Sequence, residues 1–106
     1  MNAWFILSLA GLFEIGFTTC MKLSEGFTQV KYMMGFLFFA SLSFLFLNKA
    51  VIQIPLGTAY AVWTGIGAFG TALIGMIFFK DPVSYLRIFF LILLVGSIFG
   101  LKLVSK

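Results

Sequence analysis

The chain has 106 residues, 62% of them hydrophobic and 9% charged, with a single cysteine and no histidine. So little charge cannot cover the surface of a soluble domain, and one cysteine without histidine supplies neither an internal disulfide nor an ordinary zinc site. The formal charge of +4 comes from basic residues scattered singly rather than clustered, so they read as membrane-interface anchors and not as a nucleic-acid surface.

With the bilayer as solvent, the backbone must satisfy its own hydrogen bonds, which leaves helices or a closed barrel. Barrel strands alternate apolar and polar residues, whereas the long segments here are apolar all round, so the expected fold is an all-α membrane protein of one domain, 1–106. Four spans are expected, at about 3–21, 32–52, 57–79 and 85–104. Each is long enough to cross a hydrocarbon layer of about 30 Å at about 1.5 Å per residue. Short connections make neighbouring helices antiparallel.

The first span is preceded by Met1-Asn2-Ala3-Trp4, which lacks a basic n-region, so no removable signal peptide is expected. Trp4 suits an interface anchor. Glu14 stands near the middle of this span and is the only charge in it. Inserting an acid there costs about 2.5–3.5 kcal/mol, and such residues face a partner, a cavity or a substrate path. Burial favours the protonated acid and a nearby cation favours the carboxylate, so one group can hold either in turn. That competition is a sufficient basis for proton-coupled antiport. The competing explanation is a neutralising salt bridge, but Lys22, the nearest basic residue, lies eight positions away, about 12 Å along the helix. On a helical period Glu14 shares a face with Ala10, Phe17 and Thr18: space, a ring and a hydroxyl, although Phe17 by itself also fits ordinary packing.

A polar break from Lys22 to Lys31 separates the first span from the second, in which Ser41 and Ser43 are the polar residues. Either serine can bond its own backbone one turn back. Gln53-Ile54-Pro55-Leu56-Gly57 forms the next turn. The third span places Tyr60, Trp63, Thr64 and Gly67 on one face. Aromatic faces attract cations, and a phenol or indole N–H within a bilayer needs an acceptor, which the Glu14 carboxylate can be. An interface belt is the other reading, because Tyr60 and Trp63 lie near the helix start. Gly65 and Gly67 permit either a bend or close packing. Lys80-Asp81-Pro82 ends this span.

The fourth span holds no intramembrane charge and carries Gly96-Ser97-Ile98-Phe99-Gly100. This small-xxx-small pattern suits dimerisation, with chance occurrence in a glycine-rich chain as its rival. Ser105 and Lys106 close the sequence.

With four crossings, Lys49, Lys102 and Lys106 share one side of the membrane and Lys22, Lys31, Lys80 and Arg87 the other. Three against four gives the positive-inside rule almost nothing to act on, so copies are expected to insert both ways up. Two inverted copies make the inverted-repeat architecture that many transporters carry within one chain, and they bring two Glu14 side chains toward a shared cavity. Enzymatic chemistry is not expected: there is no histidine, no second intramembrane acid and no nucleophile beside a base.

Taken together, these residues resemble the small multidrug resistance family of bacterial transporters. The likeness runs through Glu14, Met21-Lys22-Leu23-Ser24-Glu25-Gly26-Phe27 and Pro55-Leu56-Gly57-Thr58-Ala59-Tyr60-Ala61-Val62-Trp63-Thr64-Gly65-Ile66-Gly67, and covers essentially the whole chain. It implies an antiparallel, dual-topology homodimer in the bacterial inner membrane that exchanges protons, the coupling ion in place of any cofactor, for small organic cations through paired glutamates. It also implies that Tyr60 and Trp63 are site residues, and Ser43 matches the family's serine near the glutamate. The run 55–67, with Trp4 and Lys80-Asp81-Pro82, resembles the guanidinium-exporting branch, in which a tryptophan usually stands where this chain has Phe17. Thr18-Thr19 and the run 21–27 resemble the branch that exports quaternary ammonium and aromatic cations. A third expectation is a passive or one-half subunit of a two-gene membrane complex.

Overall fold

A computed structural model describes residues 2–104; Met1 and the closing Ser105 and Lys106 lie outside the described residues. Four helices follow one another, α1 (Ala3–Leu23), α2 (Val30–Ala50), α3 (Leu56–Phe78) and α4 (Tyr85–Val104). All four are long and apolar enough to span a membrane. Their ends differ from the expected span limits by at most two residues. The polar break between the first two is shorter than its composition implies, because Lys22 and Leu23 continue α1 while Val30 and Lys31 already belong to α2.

Local chemistry sets the ends. The Asn2 side chain accepts a hydrogen bond of 2.7 Å from the Trp4 N–H and caps α1. At the other end Ser24, fully buried, donates to the Met21 carbonyl at 2.7 Å and accepts from the Phe27 N–H at 3.0 Å. The three residues after it turn through left-handed backbone, with Gly26 at φ 75° between Glu25 and Phe27. Pro55 precedes the first residue of α3, where a missing N–H is no loss. Lys80 is left-handed at φ 59°, which folds the Asp81 N–H back to the Gly75 carbonyl at 3.0 Å, and Pro82 prevents continuation.

α1 is the central helix. It packs against α2 on one flank and α3 on the other, while α4 packs on α3. Small residues bring the helices close: Ala3, Ala10, Ala50 and Ala59 are buried beside Leu7, Ile54, Val62 and Trp63, and side chains of neighbouring helices rest on bare glycines, Ile66 on Gly11, Phe39 on Gly16 and Ile15 on Gly70. Close backbone approach is how helices associate where lipid removes the hydrophobic drive. Most large apolar side chains face outward, as lipid permits. The bundle measures 42 × 35 × 19 Å, a slab about two helix diameters thick, so its middle layers lie close to its faces.

Candidate functional site

Glu14 sits near the middle of α1, in the layer where α1 meets α3. Its carboxyl rests on the backbone of Gly67, at a place where a Cβ would overlap the Glu14 Cδ and Oε1 atoms. Glycine at 67 is therefore what admits the acid between the helices. Glu14 Oε1 is buried and has no hydrogen-bond partner among the described residues. The one ion pair among the described residues joins Arg87 to Asp81 at 3.9 Å, so none of the described basic side chains neutralises Glu14. A buried acid with an unfilled oxygen has the chemistry of a binding group: it takes a proton, or it takes a cation that brings its own N–H donors.

The flanks of α1 beside Glu14 differ in kind. Toward α3, Thr18 donates to the backbone carbonyls of Glu14 and Ile15, each at 3.0 Å, and its hydroxyl meets that of Thr71 at 2.7 Å. Toward α2 the surface is aromatic. Phe17 lies against Phe36 at 5.6 Å and Phe44 at 6.1 Å between ring centroids. Phe44 in turn meets Trp63 at 5.6 Å, and Trp63 meets Tyr60 at 5.5 Å. Such rings offer negative faces to a cation.

Ser43 ties three helices together. It is 0% exposed, donates to the Ala10 carbonyl at 2.7 Å and accepts from Trp63 Nε1 at 2.8 Å. Neither bond is the local backbone contact available to a serine in a helix. The expected hydrogen bond from the Trp63 indole to the Glu14 carboxylate is accordingly not the one formed. Residue 63 lies one turn before Gly67, and there the Ser43 oxygen fills the donor's need first. Tyr60, nearly a full turn earlier again, is 56% exposed and contributes its ring to the edge of the aromatic row.

Gly65 and Gly67 both lie in an unbroken α3 and both serve close packing. A Cβ on Gly65 would stand 2.8 Å from the Ile98 side chain of α4, and Gly67 lies beneath Glu14. At Gly96 and Gly100 an added Cβ would meet open space, and α4 has no buried residue. Thr71 was missed in the sequence. Its signal was the shared four-residue step: Glu14 and Thr18 on α1 run beside Gly67 and Thr71 on α3.

Comparison with known proteins agrees with this architecture. Residues 2–94 match the Small Multidrug Resistance protein family. A protein named "Guanidinium exporter" from Yersinia pseudotuberculosis is 43% identical over 103 residues, covering 97% of this chain and 99% of its own length. "Probable guanidinium efflux system subunit GdnD" from Bacillus licheniformis is 41% identical over 102 residues, covering 96% and 98%. "Uncharacterized membrane protein YvdR" from Bacillus subtilis is 39% identical over 109 residues, covering 98% of each. With its four spans and full-length likeness, this chain is a multi-pass membrane protein that belongs to the Small Multidrug Resistance family.

Proposed function

We propose that the protein is a proton-coupled antiporter that exports small organic cations of the guanidinium type, working as an antiparallel pair of identical subunits in the inner membrane. The observation that carries this is the Glu14 carboxyl: mid-span, in no ion pair among the described residues, with one buried oxygen that lacks a donor and an aromatic row on its flank. A planar cation with several N–H donors fits an acid whose oxygen lacks a donor, and the names of two full-length relatives point to the same cargo. Because proton and cation claim one carboxyl, loading one releases the other, and that exclusivity couples their fluxes when the site opens to each side in turn. Gly65 and Gly67 relax α3 during that change, and Gly96 and Gly100 present α4 to the second copy.

A second reading keeps the mechanism and widens the cargo to quaternary ammonium and aromatic cations. It is favoured by Phe17, whose ring adds apolar surface and no N–H to the flank of the site. Solid-supported-membrane currents with guanidinium and tetraphenylphosphonium, run side by side, decide between the two: larger currents with guanidinium support the first, larger currents with tetraphenylphosphonium the second. In either case Glu14→Gln abolishes cation-driven proton flux in liposomes while leaving the dimer intact, and retained coupling refutes the role of Glu14. The word "subunit" in one relative's name raises a one-half role for this chain. Crosslinking an engineered cysteine in the chain expressed alone tests it, and parallel pairs or none would defeat the homodimer.

A further inference from the structure

The α1–α3 seam continues beyond Glu14 toward the loops. On α1 the residues facing it step by four, Glu14, Thr18 and Lys22; on α3 they step likewise, Gly67, Thr71 and Gly75. The carboxyl of Glu14 lies on Gly67, the hydroxyls of Thr18 and Thr71 meet at 2.7 Å, and the Asp81 carboxylate lies on Gly75. Two of the three layers are thus acid-on-glycine contacts, and the layer between them is a pair of hydroxyls. Beside the outer layers opens a cavity of about 280 Å³, lined by Thr18, Thr19, Lys22, Thr71, Gly75 and Asp81 together with apolar side chains. It has room for several waters and the polar partners they need. Its floor, at Thr18 and Thr71, stands one helical turn, about 5.4 Å, from the Glu14 layer.

We propose that this seam is a hydrated proton route from the loop side of the membrane to Glu14, separate from the aromatic flank by which the cation arrives. This rests on the antiport reading above. The two flanks are chemically sorted by adjacent residues of one helix, Phe17 toward α2 and Thr18 toward α3. The charged groups that face the cavity are Lys22 from α1 and Asp81 from the α3–α4 connection, the latter 3.9 Å from Arg87 of α4; no lining residue comes from α2. Lys22 repels a cationic cargo, the Asp81 carboxylate is already paired with Arg87, and the one ring in the lining, Phe79 at the end of α3, lies on the loop side of the hydroxyl layer. A proton needs no such passage for a body. Hydronium at the mouth gives up a proton to water, each water and hydroxyl along the seam accepts one proton and releases its own, and the Glu14 carboxylate ends as the neutral acid, releasing the bound cation. Only O–H bonds form and break.

Thr71 carries the test, because it lines this seam and takes no part in the aromatic flank. Thr71→Val keeps the shape and removes the hydroxyl. Guanidinium binding at fixed pH should stay within about twofold of the parent protein, while guanidinium-driven proton flux into liposomes falls about tenfold or more. Thr71→Ser should restore the flux. Parental flux in Thr71→Val overturns the seam, and so does an equal loss of binding and flux. If the parent protein shows no proton flux driven by either guanidinium or tetraphenylphosphonium, the antiport reading fails instead. A second measurement does not depend on the valine variant folding: in a Cys20→Ser background, Thr71→Cys should react with a water-soluble methanethiosulfonate and Ile77→Cys, on the exposed apolar surface of α3, should not. A Thr71→Cys variant that stays inert to the reagent overturns the proposal.

Discussion

Replacing Gly67 with alanine separates helix propensity from the seat of Glu14, because the first favours the change and the second opposes it. Alanine is a better helix residue than glycine by about 0.8–1.0 kcal/mol, so in an unencumbered helix the change stabilises. Here the new Cβ would stand 2.7 Å from the Glu14 Cγ and closer still to its carboxyl. Carbon atoms rest about 3.5 Å apart or more, so the Cγ must retreat by about 0.8 Å and the carboxyl further. Displacing a reacting group by about 1 Å costs on the order of 10²-fold in rate. The variant should therefore be expressed as a stable, monodisperse protein whose guanidinium transport in liposomes is about a hundredfold slower. Thermal unfolding and transport measured on the same preparation check both halves. A variant that transports within about twofold of the parent would show that Glu14 does not lie on α3 at this level during the transport cycle.

The other predictions concern separate links. Ser43→Ala removes the acceptor of the buried Trp63 indole and the donor to Ala10; an orphaned buried donor costs about 1–3 kcal/mol, and unfolding in detergent should register a loss of that size, with an unchanged midpoint refuting it. Guanidinium affinity should weaken as pH falls, approaching about tenfold per pH unit once protons fill most of the Glu14 carboxyls, since strict competition scales with proton concentration; calorimetric titration at several pH values reads this, and a constant affinity contradicts a shared group. Gly100→Leu fills open space on α4 and should leave the fold of the subunit intact while weakening self-association, as single-molecule photobleaching in lipid would show; undiminished dimers would remove Gly100 from the interface.

Much of this protein is legible without coordinates. Span number and length follow from stretches of apolar residues bounded by Pro, Gly and charge, and these are local properties of the chain, so the structure moves the ends by no more than two residues. The isolation of Glu14 is equally local, because the cost of a charge in lipid does not depend on which helix stands beside it. The partners of the polar groups are another matter. Trp63 and Ser43 are twenty residues apart and Thr18 and Thr71 fifty-three, and nothing in the spacing along one helix says which face of another it meets. The expectation that the indole seeks the carboxylate was chemically sound, but Ser43 lies nearer. Only the crossing of α1 with α2 and α3 decided that Gly67 lies beneath Glu14, that hydroxyls line one flank and rings the other, and that α4 is left on the outside. The physical reason is that lipid solvates every apolar face alike, so burial pattern alone cannot rank one helix pairing above another; the small residues and hydrogen bonds at each crossing choose it, and they act only once the helices are side by side.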